Sequence, residues 1–183
     1  MTLSAIENPP PQFPNDVLRP DLFAGEAWSA IRTKPRHEKM LAWELKARSL
    51  GYYLPLISHI QASRERKRVS LEPLFSGYLF LRGGPEARRQ AWDTKHVLQV
   101  MPICDGRRLC DELRTVARVL EVRRAEPCAC FTAGRKVRIV HGPLTGIEGI
   151  VIRRKGQYRI LLQITSIQQA MQVDVHASEI LID

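Results

Sequence analysis

The chain has 183 residues, of which 44% are hydrophobic and 26% are charged, and its formal net charge is +9. This length accommodates one or two ordinary domains with a hydrophobic core. No apolar run approaches the ~20 residues that span a bilayer, and no basic-then-apolar signal opens the chain, so we expect a cytoplasmic protein. The excess of basic residues favours a polyanionic partner, most often nucleic acid, although charge alone also fits a basic protein that binds none.

The four cysteines and five histidines form no recognisable catalytic or metal-binding pattern. No C-x-x-C pair is present and no histidine stands at zinc-finger spacing from a cysteine, so free thiols are expected. The sequence also lacks the G-x-S-x-G, G-x-x-x-x-G-K-[ST] and G-x-G-x-x-G motifs of hydrolases and nucleotide-binding proteins. We therefore expect a binding protein that is not an enzyme and uses no metal or cofactor.

The first 26 residues are rich in proline, which favours an extended chain that packs poorly. We expect residues 1–26 to form a disordered or loosely docked arm. Order is predicted to begin at Ala27, with a strand over Trp28–Arg32. A helix is predicted to start near Pro35, where the missing N–H of proline costs no hydrogen bond, and to end near Gly51. Its Leu41 and Leu45 lie one turn apart and are expected to face the core.

Strands and helices then alternate as far as Arg124. The strongest apolar run, Leu74–Leu81, predicts a central strand. A short helix is predicted to start at Pro85, a strand covers Val97–Ile103, and apolar residues recur at helical spacing over Leu109–Leu120. This order predicts an α+β domain over residues 27–124, with helices packed on a mostly antiparallel sheet.

The C-terminal part of the chain has a different residue pattern, in which short segments rich in β-branched residues are separated by glycines. Residues 125–131 are predicted to form a short linker, and residues 132–183 a small SH3-like barrel of five strands. Gly142, Gly146 and Gly149 suit a tight loop between two strands, since glycine reaches positive φ without a Cβ clash. An SH3-like barrel of unrelated family is the alternative. The strands are expected at 136–140, 150–152, 158–164, 171–175 and 179–182.

One string in this segment resembles the KOW motif of ribosomal and transcription-elongation proteins. It consists of Val137, Arg138, Ile139, Gly142, Pro143, Gly146, Gly149 and Val151 at the motif's spacing. KOW domains occur in both classes of protein, so the N-terminal domain must distinguish them.

The N-terminal domain resembles that of the NusG family, and the string Glu72–Phe80 is most similar to specialised paralogues of the RfaH kind. The resemblance implies a pocket that binds the clamp helices of the RNA polymerase β′ subunit. It also implies that residues of the second predicted helix contact the β-subunit gate loop. For the clamp helices the residues are Pro73, Leu74, Phe75 and Tyr78; for the gate loop they are Arg88, Arg89 and Gln90. Ordinary sheet core is the alternative role for Phe75 and Tyr78.

A basic run between strand-like segments is predicted to form a projecting hairpin tip. Its residues Arg64, Arg66, Lys67 and Arg68 are candidates for contacts with upstream DNA or the nontemplate strand, mainly at phosphates. A solvated tip without such a role is the alternative.

The resemblance further implies a monomer whose KOW domain recruits a partner such as the termination factor Rho or a ribosomal protein. A ribosome- or RNA-binding KOW protein of structural type is the alternative function. RfaH stores its C-terminal domain as a helical hairpin, but the Val and Ile content of this segment favours strands. Whether the protein acts generally or on one operon, and for or against termination, stays open.

Overall fold

The computed structural model describes residues 8–19, 27–62, 67–128, 134–154 and 157–182. The chain divides into two compact units, Met1–Gly106 and Arg107–Asp183. Within the described ranges, no helix is both long enough and apolar enough to cross a membrane.

The first unit is built on an antiparallel sheet with two helices. Its described elements are β1 (Gln12–Phe13), β2 (Trp28–Thr33), α1 (Glu38–Ala47), β3 (Gly51–Tyr53), β4 (Leu56–Ala62), β5 (Lys67–Pro73), β6 (Tyr78–Arg82), α2 (Pro85–Trp92) and β7 (Val97–Ile103). The sheet has the strand order β1-β3-β6-β2-β7, and every pairing is antiparallel. Strands β4 and β5 form a separate antiparallel hairpin. The expected mixture of helices with antiparallel strands is therefore confirmed.

The core of this sheet lies on the face that carries α1 and α2. Leu41 and Leu45 of α1 are fully buried there with Leu79 and Leu81 of β6, as the one-turn spacing of the two helical leucines predicted. Helix α1 begins at Glu38 rather than near Pro35. The expected start was wrong because the intervening Arg36 has a φ of 64°, which interrupts the right-handed helical backbone.

The central strand is shorter than the apolar run that predicted it. Strand β6 begins at Tyr78, and residues 74–77 form a turn in which the Tyr78 N–H donates to the Phe75 carbonyl at 3.0 Å. Gly77 has a φ of 80°, a left-handed conformation that glycine adopts at little cost. Hydrophobicity alone could not distinguish this apolar turn from strand.

Part of the expected arm is docked on the sheet more firmly than a loose arm would be. Strand β1 pairs with β3, and the Leu54 N–H donates to the Pro11 carbonyl at 2.7 Å. The Tyr52 hydroxyl donates to the Pro10 carbonyl at 3.0 Å, and burial raises the pKa of Tyr52 to about 12. Val17 is fully buried. Residues 1–7 and 20–26 of the arm lie outside the described residues.

The second unit contains one long helix and an antiparallel sheet. Its described elements are α3 (Gly106–Val122), β8 (Ala125–Cys128), β9 (Arg135–Ile139), β10 (Glu148–Arg154), β11 (Gln157–Ile164), β12 (Gln169–Val175) and β13 (Ile180–Ile182), with 3-10 turns at Thr165–Ile167 and Ala177–Glu179. The strand order is β13-β9-β10-β11-β12-β8. The predicted strands are present, and the segment Leu161–Met171 lies in β11, a 3-10 turn and β12.

The boundary between the units differs from the one we expected. Ala125–Cys128, predicted as linker, forms β8 and pairs with β12, which gives this sheet six strands in the described residues rather than five. Ala125 is buried in that position. A proline at position 127 is accommodated because β8 is an edge strand, where one side of the backbone needs no ladder partner. Residues 129–133 lie outside the described residues.

Candidate functional site

The turn between β5 and β6 holds the predicted clamp-helix residues within six positions of the chain, and we call residues 73–78 the β5–β6 turn. The Leu74 N–H donates to the Pro55 carbonyl at 2.8 Å, and the Gly77 carbonyl accepts from the Thr33 N–H at 2.8 Å. The Gly77 N–H donates to Oε1 of Glu38 at 2.7 Å. Hydrogen bonds to three separate parts of the first unit therefore fix the turn.

The four predicted clamp-helix residues differ in exposure. Leu74 and Phe75 are each only 1% exposed, whereas Pro73 and Tyr78 are half-buried. The Phe75 ring meets the Phe80 ring edge-on, with centroids 6.2 Å apart and planes at 89°. This geometry is favourable for aromatic pairs and locks Phe75 into the interior. In this conformation only Pro73 and Tyr78 of the four offer substantial surface to another molecule.

The predicted gate-loop residues lie on α2. Arg89 is 67% exposed and forms two hydrogen bonds with Glu86, at 3.0 and 2.7 Å, while the Gln90 side chain donates to the same carboxylate at 3.0 Å. These hydrogen bonds, that of Arg89 first, hold the pKa of Glu86 below its ordinary value. Arg88 is half-buried. Helix α2 thus presents a carboxylate together with its basic side chains.

The predicted basic tip can be followed only in part. The flanking strands β4 and β5 pair from Leu56 with Pro73 to Ala62 with Lys67, as a hairpin requires. Arg64 and Arg66 lie outside the described residues. Lys67 and Arg68 are on β5, and their backbone alone is described.

The KOW-like string spans β9, the following loop and β10. Val137 and Ile139 are buried, while Arg138 between them is exposed and donates from Nε to Glu148 at 3.0 Å. Gly142 and Gly146 both have a φ of 89°.

The remaining members of the string have different surroundings. Gly149 lies within β10, where a Cβ atom would come within 2.8 Å of the Leu161 carbonyl oxygen, so close packing requires glycine there. Pro143 is exposed and Val151 is half-buried. The glycines thus have two roles, since Gly142 and Gly146 shape the loop and Gly149 allows two strands to approach.

Comparison with known families identifies residues 26–124. The NusG family model, described as transcription termination factor nusG, matches residues 26–124, which is more than half of the chain. The chain belongs to the NusG family. This is a family of non-enzymatic transcription elongation factors, and the expectation that the protein is not an enzyme is therefore confirmed.

Comparisons with curated proteins and with solved structures add little to this assignment. No curated protein matches this NusG-family chain closely enough to count as a relative. Among solved structures, a match is found to one titled crystal structure of MjSpt4:Spt5 complex conformation B. It is 18% identical, covers 85% of this chain and 95% of the matched chain, and has a TM-score of 0.28. At that similarity the match carries no argument.

Helix α3 lies inside the NusG-matched segment, yet its contacts belong to the second unit from Arg107 onward. Its buried side chains are Leu109, Cys110, Leu113, Val116 and Val119. Polar side chains of this segment also contact the second unit. Glu112 accepts from the Thr165 N–H at 3.1 Å, and Arg118 donates to a backbone carbonyl of the loop after β9. Arg123, just beyond the helix, forms an ion pair with Glu179. The NusG-matched segment and the compact units therefore end at different residues.

Sequence reasoning missed Glu38 and Arg118 as positioning residues. Glu38 stands in the first turn of a helix, where an acidic side chain is ordinary, and Arg118 stands on the polar face of an amphipathic helix. Neither position carries a sequence signal for its partner, because both partners are backbone groups distant in the chain.

Proposed function

We propose that this protein is a cytoplasmic, monomeric transcription elongation and antitermination factor that binds the clamp helices of the RNA polymerase β′ subunit through the β5–β6 turn. The C-terminal sheet forms a KOW-type barrel that recruits a partner such as Rho or a ribosomal protein. The string Glu72–Phe80 further supports a specialised paralogue of the RfaH kind.

The observation that carries the proposal is the rigid presentation of the β5–β6 turn inside the NusG-matched segment. Tyr78 and Pro73 are partly exposed on a turn that is held in place by hydrogen bonds to Glu38, Thr33 and Pro55. A pre-organised apolar surface loses little conformational entropy on binding. In this proposal Tyr78 and Pro73 contact the clamp helices directly. Leu74 and Phe75, which are buried, stabilise the turn by packing in the interior.

Two basic surfaces extend the proposed contact. Arg88, Arg89 and Gln90 contact the gate loop of the β subunit, with Arg89 as the most accessible of the three. Arg64, Arg66, Lys67 and Arg68 contact DNA phosphates, so this contribution weakens as the salt concentration rises.

The test is a binding measurement with purified RNA polymerase and the full chain. Tyr78→Ala is expected to weaken binding by at least about tenfold, since a central interface aromatic commonly carries this much free energy. Leu98→Ala is the control, because Leu98 is a large apolar residue of the same unit that is 50% exposed and lies on β7, outside both the β5–β6 turn and α2. Folding of both variants is checked by circular dichroism.

The outcome that rejects the proposal is wild-type polymerase affinity in a folded Tyr78→Ala variant. If such a variant also binds ribosomes or RNA through its C-terminal unit, the structural KOW function takes its place.

A further inference from the structure

The loop between β9 and β10 uses its own backbone groups to fold, and we call residues 140–147 the glycine loop. The Gly142 carbonyl accepts from the Thr145 N–H at 3.2 Å and from the Thr145 hydroxyl at 2.6 Å. The Leu144 carbonyl accepts from the Ile147 N–H at 3.1 Å, and the Gly146 N–H donates to Ile139 of β9 at 2.8 Å. The carbonyls of residues 142 and 144 are thereby occupied within the loop.

The carbonyls of residues 143 and 145 instead both accept hydrogen bonds from a single arginine. Nη2 of Arg118, on α3, donates to the Pro143 carbonyl at 2.9 Å and to the Thr145 carbonyl at 3.2 Å. Within the described part of the chain, no carboxylate lies within ion-pairing distance of Arg118. The guanidinium therefore meets two carbonyl dipoles rather than a negative side chain.

This arrangement has a definite ligand chemistry. Both carbonyl oxygens are hydrogen-bond acceptors with partial negative charge, so they repel a phosphate group and attract a cationic donor. The guanidinium is the best fit, because its N–H groups lie in a rigid plane and remain charged at all physiological pH values. Gly142 and Gly146, both at a φ of 89°, hold the loop in the conformation that aims the two oxygens together.

The site is also open to exchange. Arg118, Pro143 and Thr145 are all exposed at the surface of the second unit, so another molecule can reach the loop without unfolding it. An exposed charge-assisted hydrogen bond contributes modestly, so an external donor can compete with the internal one.

We propose that the glycine loop is an arginine-binding site, which Arg118 fills in cis and which a protein partner fills in trans by presenting its own exposed arginine. Nucleic-acid phosphate is excluded from these two carbonyls by charge. The inference does not rest on polymerase binding, which involves the first unit.

The experiment follows the backbone carbonyl carbon resonances of the full-length protein by NMR. Arg118→Ala is expected to shift Pro143 and Thr145 upfield, since a carbonyl carbon moves upfield when it loses a charged donor, while Gly142 and Leu144 keep their positions. Arg114→Ala is the matched control, because Arg114 is exposed on the same helix and pairs with Asp111 at 3.2 Å. N-acetyl-arginine methylamide is then titrated into Arg118→Ala, with N-acetyl-lysine methylamide in parallel.

The proposal predicts that the arginine amide returns both resonances toward their wild-type positions and that the lysine amide does so less. Unchanged resonances at Pro143 and Thr145 in Arg118→Ala would overturn the site itself. Rescue by the arginine amide no better than by the lysine amide would overturn its use by an arginine-bearing partner.

Discussion

The carboxylate of Glu38, at the start of α1, accepts a hydrogen bond of 2.7 Å from the backbone N–H of Gly77, in the β5–β6 turn. Glu38 is only 4% exposed, so a carboxylate has been buried to make this bond. Burial of a charged group is costly unless it is hydrogen-bonded. This hydrogen bond therefore makes the conformation of the β5–β6 turn depend on the position of α1.

Glu38→Ala is expected to lower the free energy of unfolding by about 1–3 kcal/mol, because it leaves the part-buried Gly77 N–H without its charged acceptor. Glu38→Gln should cost less, since its side-chain oxygen still accepts. Urea denaturation measures both. Glu44→Ala is the control, because the Glu44 side chain is 47% exposed and pairs with Arg48 at 3.5 Å. Equal losses for Glu38→Ala and Glu44→Ala would contradict this role.

Gly77→Ala tests the left-handed backbone of the same turn. No atom lies within 4 Å of a Cβ built at Gly77, so the expected cost of about 1–2 kcal/mol arises from its φ of 80° alone. Gly51→Ala is the control, since the φ of Gly51 lies outside the left-handed region and a Cβ there makes ordinary contacts, the nearest at 3.4 Å. Thermal unfolding should show a clear loss for Gly77→Ala and little or no loss for Gly51→Ala. Similar melting temperatures would argue against backbone strain.

A pH dependence is expected from the histidine pair that joins α1 to β7. Nδ1 of His37 and Nδ1 of His96 are 2.8 Å apart, so one ring donates to the other and at least one is neutral. Burial first, and then His37 and Lys34, lower the pKa of His96, while Glu44 acts in the opposite direction. The unfolded chain therefore binds this proton more readily than the folded protein.

Stability should consequently fall as the pH is lowered through the unfolded histidine pKa of about 6.5. His96→Gln should flatten this slope between pH 7 and pH 5 in urea titrations. His59→Gln, which changes an exposed histidine of the same unit, should leave it in place. A slope that persists unchanged in His96→Gln would assign the pH dependence to other groups.

The ion pair between Arg123 and Glu179 should contribute more than an exposed pair of the same type. Their side chains are 25% and 17% exposed, and the His176 N–H also donates to Glu179 at 2.8 Å. A double-mutant cycle should give a coupling of roughly 1 kcal/mol at neutral pH. The control cycle joins Arg138 to Glu148, which are more than half exposed, and should give about 0–0.5 kcal/mol. Equal couplings would show that burial adds nothing.

The contribution of the Arg123–Glu179 ion pair to stability is expected to decrease at acidic pH. The His176 hydrogen bond first, and then Arg123, hold the pKa of Glu179 below its ordinary value. Its stabilising contribution is thus present above the unfolded glutamate pKa and is lost as the pH falls through the lowered folded value. Glu179→Gln should reduce the stability difference between neutral and acidic pH in denaturant titrations.

Hydrophobic periodicity predicted most helices and strands of both units, but it predicted the wrong secondary structure for two connecting segments. The helical leucines Leu41 and Leu45 and the strands of the C-terminal segment were predicted because their spacing reflects local geometry. Residues 74–77 form a turn although their leucine and phenylalanine, as apolar as those of β6, predict strand. Strand β8 forms at the edge of its sheet although its proline and cysteine interrupt the strand pattern and predict linker.

The sequence places the four candidate clamp-helix residues close together in the chain but does not reveal their exposure. No sequence pattern distinguishes Leu74 and Phe75, which are buried, from Pro73 and Tyr78, which are partly exposed. Exposure depends on what packs over a residue, and that information is held by distant parts of the chain.

By itself, the sequence determined that this is a basic NusG-family chain with an α+β N-terminal part and a glycine-punctuated β C-terminal part. These properties follow from composition, local periodicity and short motifs. Only the tertiary structure decided that Glu38 holds Gly77, that Arg118 fills the glycine loop and that α3 contacts the second unit. The first two are hydrogen bonds between a side chain and distant backbone, and every residue carries such backbone groups, so the sequence does not mark which of them will be the partner. The third depends on which distant segment covers the apolar face of the helix.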